Sequence, residues 1–419
     1  MIGISKYNIV SYINNDTIAI FNTISGVIIT LPLIFYETIL DTNVNVLQEL
    51  NPDMFNFLSK YKIIADDDIE CDKLISDILN MHSNLHTLSL LLHSTLKCNL
   101  NCSYCFQRGI EQSIMTPQVA MKIVRFIESK CLNDRIDTIN ITWSGGEPLL
   151  NIFPIEYIYN ELIKRLPGNI KLNVSLYTNG TLLNRNNVHR LYYAGIRHIQ
   201  ITIDGTDDVH FARRGGSFKS ILKNIDNILN EYNDVKISVR TNIDRSNIRD
   251  YVKLHMTLTD RYRNRNFTLY PEFVIGDSES NSDLILPDEQ CETIMSLARQ
   301  GAYDVDLLFN RHCQLCMKKS NNSIAICPDG YVYDCEMLVG DKERIIGELD
   351  QYIESSLPYK AFNIRDKCKH CNLLPICNFG CIAKTKTLPL CNIMKGSESK
   401  FVELYYLQHS NAIAKNVIP

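Results

Sequence analysis

Three cysteines lie within eight residues near position 100. They are Cys98, Cys102 and Cys105, and they directly follow an apolar run that predicts a strand. Thiolates this close in sequence can hold one small metal centre. A structural zinc site needs a fourth ligand, whereas a [4Fe–4S] cluster held by three cysteines leaves one iron open to another molecule. The spacing favours the iron–sulfur site over a zinc knuckle.

Nine further cysteines lie between residues 313 and 391, in a stretch with few long periodic patterns. There Pro328-Asp329-Gly330 separates two short strand patterns, which predicts a hairpin. Such a stretch buries little apolar surface, so we expect metal ligation to hold it together. Cys71, Cys131 and Cys291 stand alone, and we expect them to act as small buried apolar residues.

The composition restricts where in the cell the protein is expected and which classes of partner it can bind. The 419 residues include 43 Lys and Arg and 47 Asp and Glu, a net charge of −4 that argues against nucleic-acid and anionic membrane surfaces. The longest apolar run, Gly26–Phe35, is too short to cross a bilayer, and the first residues show no signal-peptide pattern. We therefore expect a cytoplasmic protein, in which many cysteines favour metal or redox chemistry over disulfides.

Strand and helix patterns alternate six times between about residues 86 and 304. This alternation predicts an α/β fold with a parallel sheet, and six units make a partial (β/α)6 TIM barrel. Ligands of such a barrel bind at the C-terminal ends of its strands. The predicted strands are 87–93, 138–143, 171–177, 198–203, 235–241 and 267–275, and the predicted helices are 116–131, 155–166, 184–194, 217–232, 247–258 and 287–300.

Further segments flank the predicted barrel. Residues 1–75 contain three short strand patterns and two helical patterns, at 34–40 and 51–60, which predict a small α+β domain of winged-helix-like type. We interpret the run Asp66-Asp67-Asp68 as a solvated connection. Residues 305–395 form the Cys-rich C-terminal domain, and a helix is predicted within residues 396–419.

The Cys loop, with Tyr104 before its last cysteine, resembles the signature of the radical S-adenosylmethionine (radical SAM) superfamily. The segment Trp143–Pro148 resembles the Gly-Gly-Glu-Pro motif of that superfamily. The resemblance implies that the loop holds a [4Fe–4S] cluster and that Gly145, Gly146 and Glu147 bind the methionine amino group of S-adenosylmethionine (SAM). Glycine permits a close backbone approach, and a carboxylate can pair with an ammonium group.

Two later strand ends resemble segments of peptide-modifying radical SAM enzymes. The third strand ends in Tyr177-Thr178-Asn179-Gly180, and the resemblance implies cofactor contacts for Thr178 and Asn179, as it does for Tyr104. Thr202 and Arg240, at the ends of the fourth and fifth strands, are the candidates for the SAM ribose and carboxylate.

The segment after the fourth strand contains Asp204 and His210. By the same resemblance, Asp204 is a candidate general acid–base or substrate-binding residue, and His210 is a candidate to assist it. The structural alternative is that these side chains cap a loop.

The C-terminal cysteines resemble the seven-cysteine pattern of the SPASM extension, which carries two auxiliary [4Fe–4S] clusters. The resemblance implies that auxiliary cluster I is held by Cys316, Cys335 and Cys381. It implies that auxiliary cluster II is held by Cys368, Cys371, Cys377 and Cys391. For the fourth ligand of cluster I we favour Cys313 over Cys327, and an open iron that binds a substrate thiolate is the third alternative.

Residues 1–75 resemble the PqqD-like leader-recognition modules of ribosomal-peptide (RiPP) maturases. An exposed sheet edge can capture an extended leader by strand addition, although the segment can also serve only to pack on the barrel. The resemblance implies a maturase that cleaves SAM reductively to a 5′-deoxyadenosyl radical, abstracts a hydrogen from a precursor peptide and installs a thioether or carbon–carbon crosslink. An external donor of flavodoxin or ferredoxin type would supply electrons.

Two alternatives stay open. One is an anaerobic sulfatase-maturating enzyme, which generates formylglycine, although the leader-like N-terminal segment argues against it. The other is a non-catalytic iron–sulfur or zinc scaffold, which would have no need of the Gly145–Glu147 motif.

Overall fold

The computed structural model describes residues 2–41, 44–82, 86–216, 218–274, 283–286, 289–309, 316–360, 364–377 and 394–413. They pack into two compact units. The first unit comprises the described residues of Met1–His82, Leu286–Cys316 and Ala361–Pro419, and the second those of Ser83–Ile285 and Met317–Lys360. None of the described helices is long and apolar enough to span a membrane.

Residues 2–82, the N-terminal module, form a small α+β structure. Strands β1 (Gly3–Ile4), β2 (Asn8–Tyr12), β3 (Thr17–Asn22), β4 (Val27–Pro32) and β5 (Ile64–Ala65) make an antiparallel sheet in the order β2-β3-β4 and the pair β1-β5. The predicted strands and both predicted helices are confirmed. The helices are Leu33–Asp41, Val44–Leu50, Pro52–Lys60 and Asp67–His82.

The predicted solvated connection at Asp66–Asp68 is confirmed only for Asp66, which links β5 to the next helix, because Asp67 and Asp68 form the first turn of helix Asp67–His82. Acidic side chains stabilise the N-terminal end of a helix. The Asp67 carboxylate also accepts hydrogen bonds from the Ser5 hydroxyl (2.9 Å) and the Lys6 N–H (2.8 Å). The helix continues past residue 75, which the sequence suggested as the end of the domain.

The predicted partial barrel is confirmed. Its six parallel strands are neighbours in chain order, and within the described residues they belong to a nine-stranded sheet, β11-β10-β9-β8-β7-β6-β12-β13-β14. The barrel strands are β6 (Thr87–Thr95), β7 (Thr138–Gly145), β8 (Lys171–Thr178), β9 (Ile196–Thr202), β10 (Lys236–Ile243) and β11 (Phe267–Phe273).

Helices pack against the apolar face of this sheet. They are Pro117–Asn133, Phe153–Arg165, Arg185–Tyr193, Phe218–Glu231 and Ile248–Arg261, with a 3-10 turn at Pro148–Asn151. The first begins as predicted, because the Thr116 side chain accepts from the Val119 N–H (3.3 Å) and Pro117 occupies the first turn. A further helix, Asp207–Arg214, follows β9 and contributes no residue to this apolar core. This polar helix was not predicted, since it lacks an apolar stripe.

Alternation along the strands separates two faces. On β7, Ile139, Ile141 and Trp143 join the core that the helices cover. Ser144, between Trp143 and the end of the strand, points to the opposite face, the barrel lumen. The lumen face is therefore polar at the level where the strands end.

The hairpin predicted around Pro328–Gly330 is confirmed as β12 (Ser323–Ile326) and β13 (Tyr331–Tyr333), followed by β14 (Gly347–Glu348). Strand β12 pairs in parallel with β6, so the hairpin continues the barrel sheet. The sequence placed residues 305–395 in one domain, but packing divides their described part between the two units. The short helices here are Met317–Lys319, Glu336–Leu338, Lys342–Arg344 and Leu349–Ile353.

The remaining helices belong to the first unit. They are Gln290–Arg299, Asp306–Phe309, Asp366–Lys369, Leu374–Cys377 and Glu398–Ile413. The last confirms the predicted C-terminal helix, and it packs on the N-terminal sheet. There the Phe21 ring lies 4.4 Å from the Phe309 ring and 5.6 Å from the Tyr405 ring, measured between centroids.

Candidate active site

The Cys loop begins where β6 ends, at the C-terminal mouth of the barrel. Cys98 and Cys105 are exposed, whereas Cys102 is buried. The Leu100 N–H points at the Cys98 sulfur (3.4 Å), and the Cys105 N–H donates to the Cys102 carbonyl (3.3 Å). Partial desolvation of the two sulfur atoms by the surrounding chain raises the pKa of both Cys98 and Cys102, although the Cys98 side chain is exposed.

A single metal ion and an iron–sulfur cube make different demands on these thiols. No three His, Cys, Asp or Glu side chains in the described part of the chain lie close enough to share one metal ion. A cube spreads its thiolates over separate corners, and three thiols on one loop fit it. Buried donors without partners among the described residues, Arg214 Nε and His210 Nε2, lie on the segment that anchors this loop.

The Gly145-Gly146 turn packs against the backbone that leads into the Cys loop. The Gly146 N–H donates to the Thr95 carbonyl (3.1 Å), and the next N–H, of Glu147, donates to the Lys97 carbonyl (2.8 Å). A Cβ on Gly145 would overlap the Thr95 carbonyl, and one on Gly146 would overlap the Lys97 carbonyl. Both glycines are therefore required by the neighbouring chain itself, apart from any approach to a ligand.

Glu147 is fully buried and joins two strand ends. Its carboxylate accepts hydrogen bonds from the Thr178 hydroxyl (2.7 Å), the Asn179 N–H (2.8 Å) and the Leu149 N–H (3.1 Å). Burial raises the pKa of Glu147, and these hydrogen bonds oppose the increase. A carboxylate offers about four acceptor positions, so about one is left for a ligand.

Asn179 links the end of β8 to the Cys loop. Its side-chain amide donates to Asn99 Oδ1 (2.8 Å) and lies 3.9 Å from the Cys98 sulfur. Its Oδ1 accepts from the Thr181 N–H (2.9 Å). The predicted cofactor residues Thr178 and Asn179 therefore lie beside the first cysteine, with Glu147 behind them.

Asp204, the predicted acid–base residue, is fully buried and anchors the Cys loop from the other side. Its carboxylate accepts from the Tyr104 hydroxyl, the Arg214 guanidinium (3.3 Å) and the Asn242 N–H (2.9 Å). Arg214 also donates to the Tyr104 hydroxyl. Tyr104 lies between two of the three cysteines, so this network fixes the middle of the loop.

His210 is also fully buried, and its Nδ1 accepts the N–H of Asp204 (3.3 Å). Burial, with a smaller effect from the Arg214 charge, lowers the pKa of His210 to about 4, so its ring is neutral at neutral pH. The expected assistance to Asp204 is thus a backbone contact, as in the loop-capping alternative.

A polar lumen row crosses the barrel where the strands end. Register pairs His93 with Ser144, Tyr177 with Gln200, and Arg240 with both Thr202 and Tyr270. Thr202 and Arg240, the candidates for the SAM ribose and carboxylate, are therefore neighbours. Arg240 Nε donates to the Asn242 side chain (2.9 Å). The lumen row consists of His93, Ser144, Tyr177, Gln200, Thr202, Arg240 and Tyr270.

Glu336 is a lumen residue that sequence reasoning missed. It follows Cys335 directly, and its carboxylate accepts a hydrogen bond from the Ser144 hydroxyl (3.0 Å). Burial raises the pKa of Glu336, and the Ser144 hydrogen bond and the Arg240 charge oppose the increase. The sequence signal available was only its position beside a predicted cluster ligand, because its place in the lumen depends on β12 joining the barrel sheet.

Residues 92–255 match the family described as the Radical SAM superfamily. This stretch is a radical SAM domain. Members of the superfamily use SAM and a [4Fe–4S] cluster, and the matched residues include the Cys loop, Glu147, Asn179 and Asp204. The expected SAM and loop cluster therefore agree with the family of this domain.

Two curated relatives are similar to this chain over different lengths. A Cysteine-type anaerobic sulfatase-maturating enzyme of Clostridium novyi is 25% identical over 347 residues, which are 71% of this chain and 88% of that protein. A Probable GTP 3′,8-cyclase of Methanococcus maripaludis is 35% identical over 143 residues, but these are only 33% of this chain and 44% of the cyclase.

A solved structure shows the same fold. Native anSMEcpe with bound AdoMet and Kp18Cys peptide superposes with a TM-score of 0.62 at 18% identity. The match covers 79% of this chain and 100% of that chain, so about a fifth of this chain has no counterpart there.

The predicted auxiliary-cluster cysteines are described only in part. Cys313, Cys381 and Cys391 lie outside the described residues. Cys316 belongs to the first unit and Cys335 to the second. Cys327, the less favoured candidate for the fourth ligand of cluster I, is buried among Leu91 and other apolar residues, and burial raises its pKa.

Cys368, Cys371 and Cys377 share one short segment of the first unit. The Cys371 N–H donates to the Cys368 carbonyl (3.1 Å). This segment packs against the N-terminal module, because the Cys71 sulfur contacts the Lys369 carbonyl (3.1 Å) and the Thr23 hydroxyl donates to the Asn372 carbonyl (2.6 Å). The lone Cys71 is buried, as predicted.

We expect Gly146→Ala to reduce cluster loading in the radical SAM domain, because its Cβ would displace the backbone just before Cys98. Gly168→Ala is the matched control, since a Cβ at Gly168 meets no atom within 4 Å. The measurement is the amplitude of the SAM-sensitive electron paramagnetic resonance (EPR) signal after anaerobic reconstitution. Equal amplitudes in the two variants would contradict the packing argument.

Proposed function

We propose that this chain is a radical SAM enzyme that oxidises a side chain of a ribosomally made precursor peptide and installs a thioether or carbon–carbon crosslink. The observation that carries the radical chemistry is the position of three thiols at the barrel mouth, beside Glu147 and Asn179, within the matched domain. Support for a peptide substrate comes from the relative named as a sulfatase-maturating enzyme, 88% of whose length aligns with this chain.

Cys98, Cys102 and Cys105 would hold the cluster, and the last acceptor position of Glu147 would receive the SAM ammonium group. Bound together, these cofactors supply a radical that takes one hydrogen atom from the substrate. Thr202 and Arg240, adjacent in the lumen row, are the proposed partners of the SAM ribose and carboxylate. Asp204 and His210 would act as positioning residues, because neither side chain is exposed.

The lumen would receive the reacting side chain of the peptide. Tyr177 and Arg240 provide polar partners there, and Tyr270 donates to Gln200 (2.6 Å). Glu336 is placed to accept the proton that a substrate thiol must lose before its sulfur bonds to carbon. The hydrogen bond from the Ser144 hydroxyl (3.0 Å) holds this carboxylate in the lumen, where the reacting side chain would lie.

The electron balance of a crosslink explains the proposed auxiliary clusters. Joining two substrate atoms removes one hydrogen atom, one proton and one further electron. Auxiliary clusters held by Cys316, Cys335 and Cys381 and by Cys368, Cys371, Cys377 and Cys391, with Cys313 as the favoured additional ligand, would accept that electron. A flavodoxin- or ferredoxin-type protein would reduce the cluster of the radical SAM domain.

The N-terminal module would bind the leader of the precursor at the edge strand β2. Hydrogen bonds from Thr23 to Tyr7 and from Ile13 to Thr17 show that the odd-numbered residues of β2 face β3. The N–H groups of Val10 and Tyr12 therefore point outward. On the opposite edge of the sheet, Pro32 has no N–H to donate, which disfavours strand addition there.

A second candidate function is formylglycine formation in a sulfatase, favoured by the length of the match to the sulfatase-maturating relative. It uses the same hydrogen abstraction and the same base, but the oxidised Cys carbon exchanges its sulfur for oxygen. The outward N–H groups of the edge strand β2, which suit an extended peptide, favour the leader-dependent substrate over a sulfatase.

Replacement of Cys102 by Ala should abolish SAM cleavage, because the loop cluster would lose one of its three ligands. We expect about twelve irons in the reconstituted protein and about eight in Cys102→Ala, four per cluster. Cys131→Ala, a lone cysteine on helix Pro117–Asn133, is the control and should keep all of them. Formation of 5′-deoxyadenosine by Cys102→Ala would refute the assignment of this loop.

Mass spectrometry of the product separates the two candidate functions. Each short peptide encoded by an open reading frame next to this gene is incubated with the enzyme, and we expect one of them to yield a product that has lost two hydrogen atoms and kept its sulfur. The Kp18Cys peptide is the comparison, and we expect it to stay unmodified. Exchange of its sulfur for oxygen, with no change in the precursor, would favour formylglycine formation.

Substitution Val10→Pro should weaken binding of the precursor peptide by about tenfold, since it removes one outward N–H and crowds the β2 edge. SAM cleavage without peptide should not change. Val10→Thr keeps the N–H and the β-branched shape, so it is the matched control. Fluorescence anisotropy with a labelled leader measures the affinity, and equal affinities for the two variants would place the leader elsewhere.

A further inference from the structure

A buried cation flanks the Cys loop. The Arg214 side chain is 8% exposed and forms an ion pair (3.3 Å) with Asp204, which is fully buried. Both side chains also contact the Tyr104 hydroxyl. Two full charges therefore lie behind the loop, away from the screening that water and salt give to surface charges.

The two charges act on the loop in opposite directions. Among the effects on Cys102, burial raises the pKa of the thiol, Arg214 lowers it, and Asp204 raises it. Arg214 also acts on Cys98, the first cysteine of the loop. Both charged groups contact the hydroxyl of Tyr104, which directly precedes Cys105, so the pair lies at the loop itself. Neither charged group is hydrogen-bonded to a cysteine in the described structure.

The Nε of Arg214 is a buried donor without a partner among the described residues. The Nη1 of the same guanidinium donates to Tyr104 and Asp204. A buried donor without a partner costs free energy in the protein alone. A cluster bound by the loop would bring acceptor sulfurs to this region, which fits the presence of such a donor.

We infer that Arg214 and Asp204 form a charge pair that sets the reduction potential of the cluster held by Cys98, Cys102 and Cys105, an inference that rests on the proposed function. Reduction adds one electron, and hence one negative charge, to the cluster. A nearby cation stabilises the reduced form, and a nearby anion destabilises it. This assigns Asp204 an electrostatic role in place of the acid–base role expected from the sequence.

The test is an EPR-monitored redox titration of the reconstituted full-length protein, with dithionite as reductant and without SAM. The loop cluster is recognised by the change that added SAM causes in its EPR signal. Arg214→Gln should lower the ratio of reduced to oxidised cluster at a fixed potential by at least tenfold, which is about 59 mV for one electron. Asp204→Asn should shift the midpoint in the positive direction.

The double variant Arg214→Gln/Asp204→Asn removes both charges and should return the midpoint towards that of the unchanged protein. Arg190→Gln breaks a half-exposed ion pair with Glu156 elsewhere in the domain and is the control for loss of an arginine. Iron content is measured for each variant, so that a change of potential is compared only between loaded clusters.

Equal midpoints in all variants, or shifts of both single variants in the same direction, would overturn the inference. If the two residues had only a structural role, the midpoint potential would shift in the same direction in both single variants, because a loosened loop exposes the cluster to water in either case. If the Arg214→Gln variant loads no cluster, the comparison of Asp204→Asn with Asp204→Glu decides the question. A positive shift of the midpoint potential in Asp204→Asn alone supports the inference, and any other result overturns it. If the unchanged protein shows no SAM-sensitive EPR signal, the proposed function itself is refuted.

Discussion

A carboxylate in a protein interior must have partners, and two such carboxylates determine the shape of the Cys loop. Glu147 binds the start of the segment after β8, and its own N–H bonds to the backbone just before Cys98. Asp204 holds Tyr104, in the middle of the loop, through a network that includes Arg214. The loop has little apolar surface of its own, so hydrogen bonds to these two buried carboxylates, and not apolar packing, fix its conformation.

The polar residues around the Cys loop fall into two groups: those buried behind the loop and those on the lumen side, where the proposed substrate would lie. Asp204 and His210 lie behind the Cys loop and have no exposed surface. Glu336 and Arg240 instead lie on the lumen side, where their charges both act on Tyr177. In the proposed function, proton transfer to or from a substrate is therefore assigned to the lumen groups, and the buried pair Arg214–Asp204 is assigned an electrostatic role.

The N-terminal module has two distinct features. One is the sheet edge at β2, whose outward N–H groups suit an extended peptide. The other is its packing against the segment that contains Cys368, Cys371 and Cys377, through Cys71 and Thr23. Both features belong to one compact unit, so the proposed leader-binding edge and the segment proposed to hold the second auxiliary cluster share a common scaffold.

Local patterns in the sequence determined a large part of this protein. Apolar alternation predicted all six barrel strands, and the spacing of Cys98, Cys102 and Cys105 predicted the Cys loop at a strand end, because periodicity and short spacing are properties of neighbouring residues. Only the tertiary structure decided the burial of Asp204, the pairing of β12 with β6 and the entry of Glu336 into the lumen. Each of these depends on segments that are distant in sequence, and a side chain's burial and charge partners are set by the segments that pack around it.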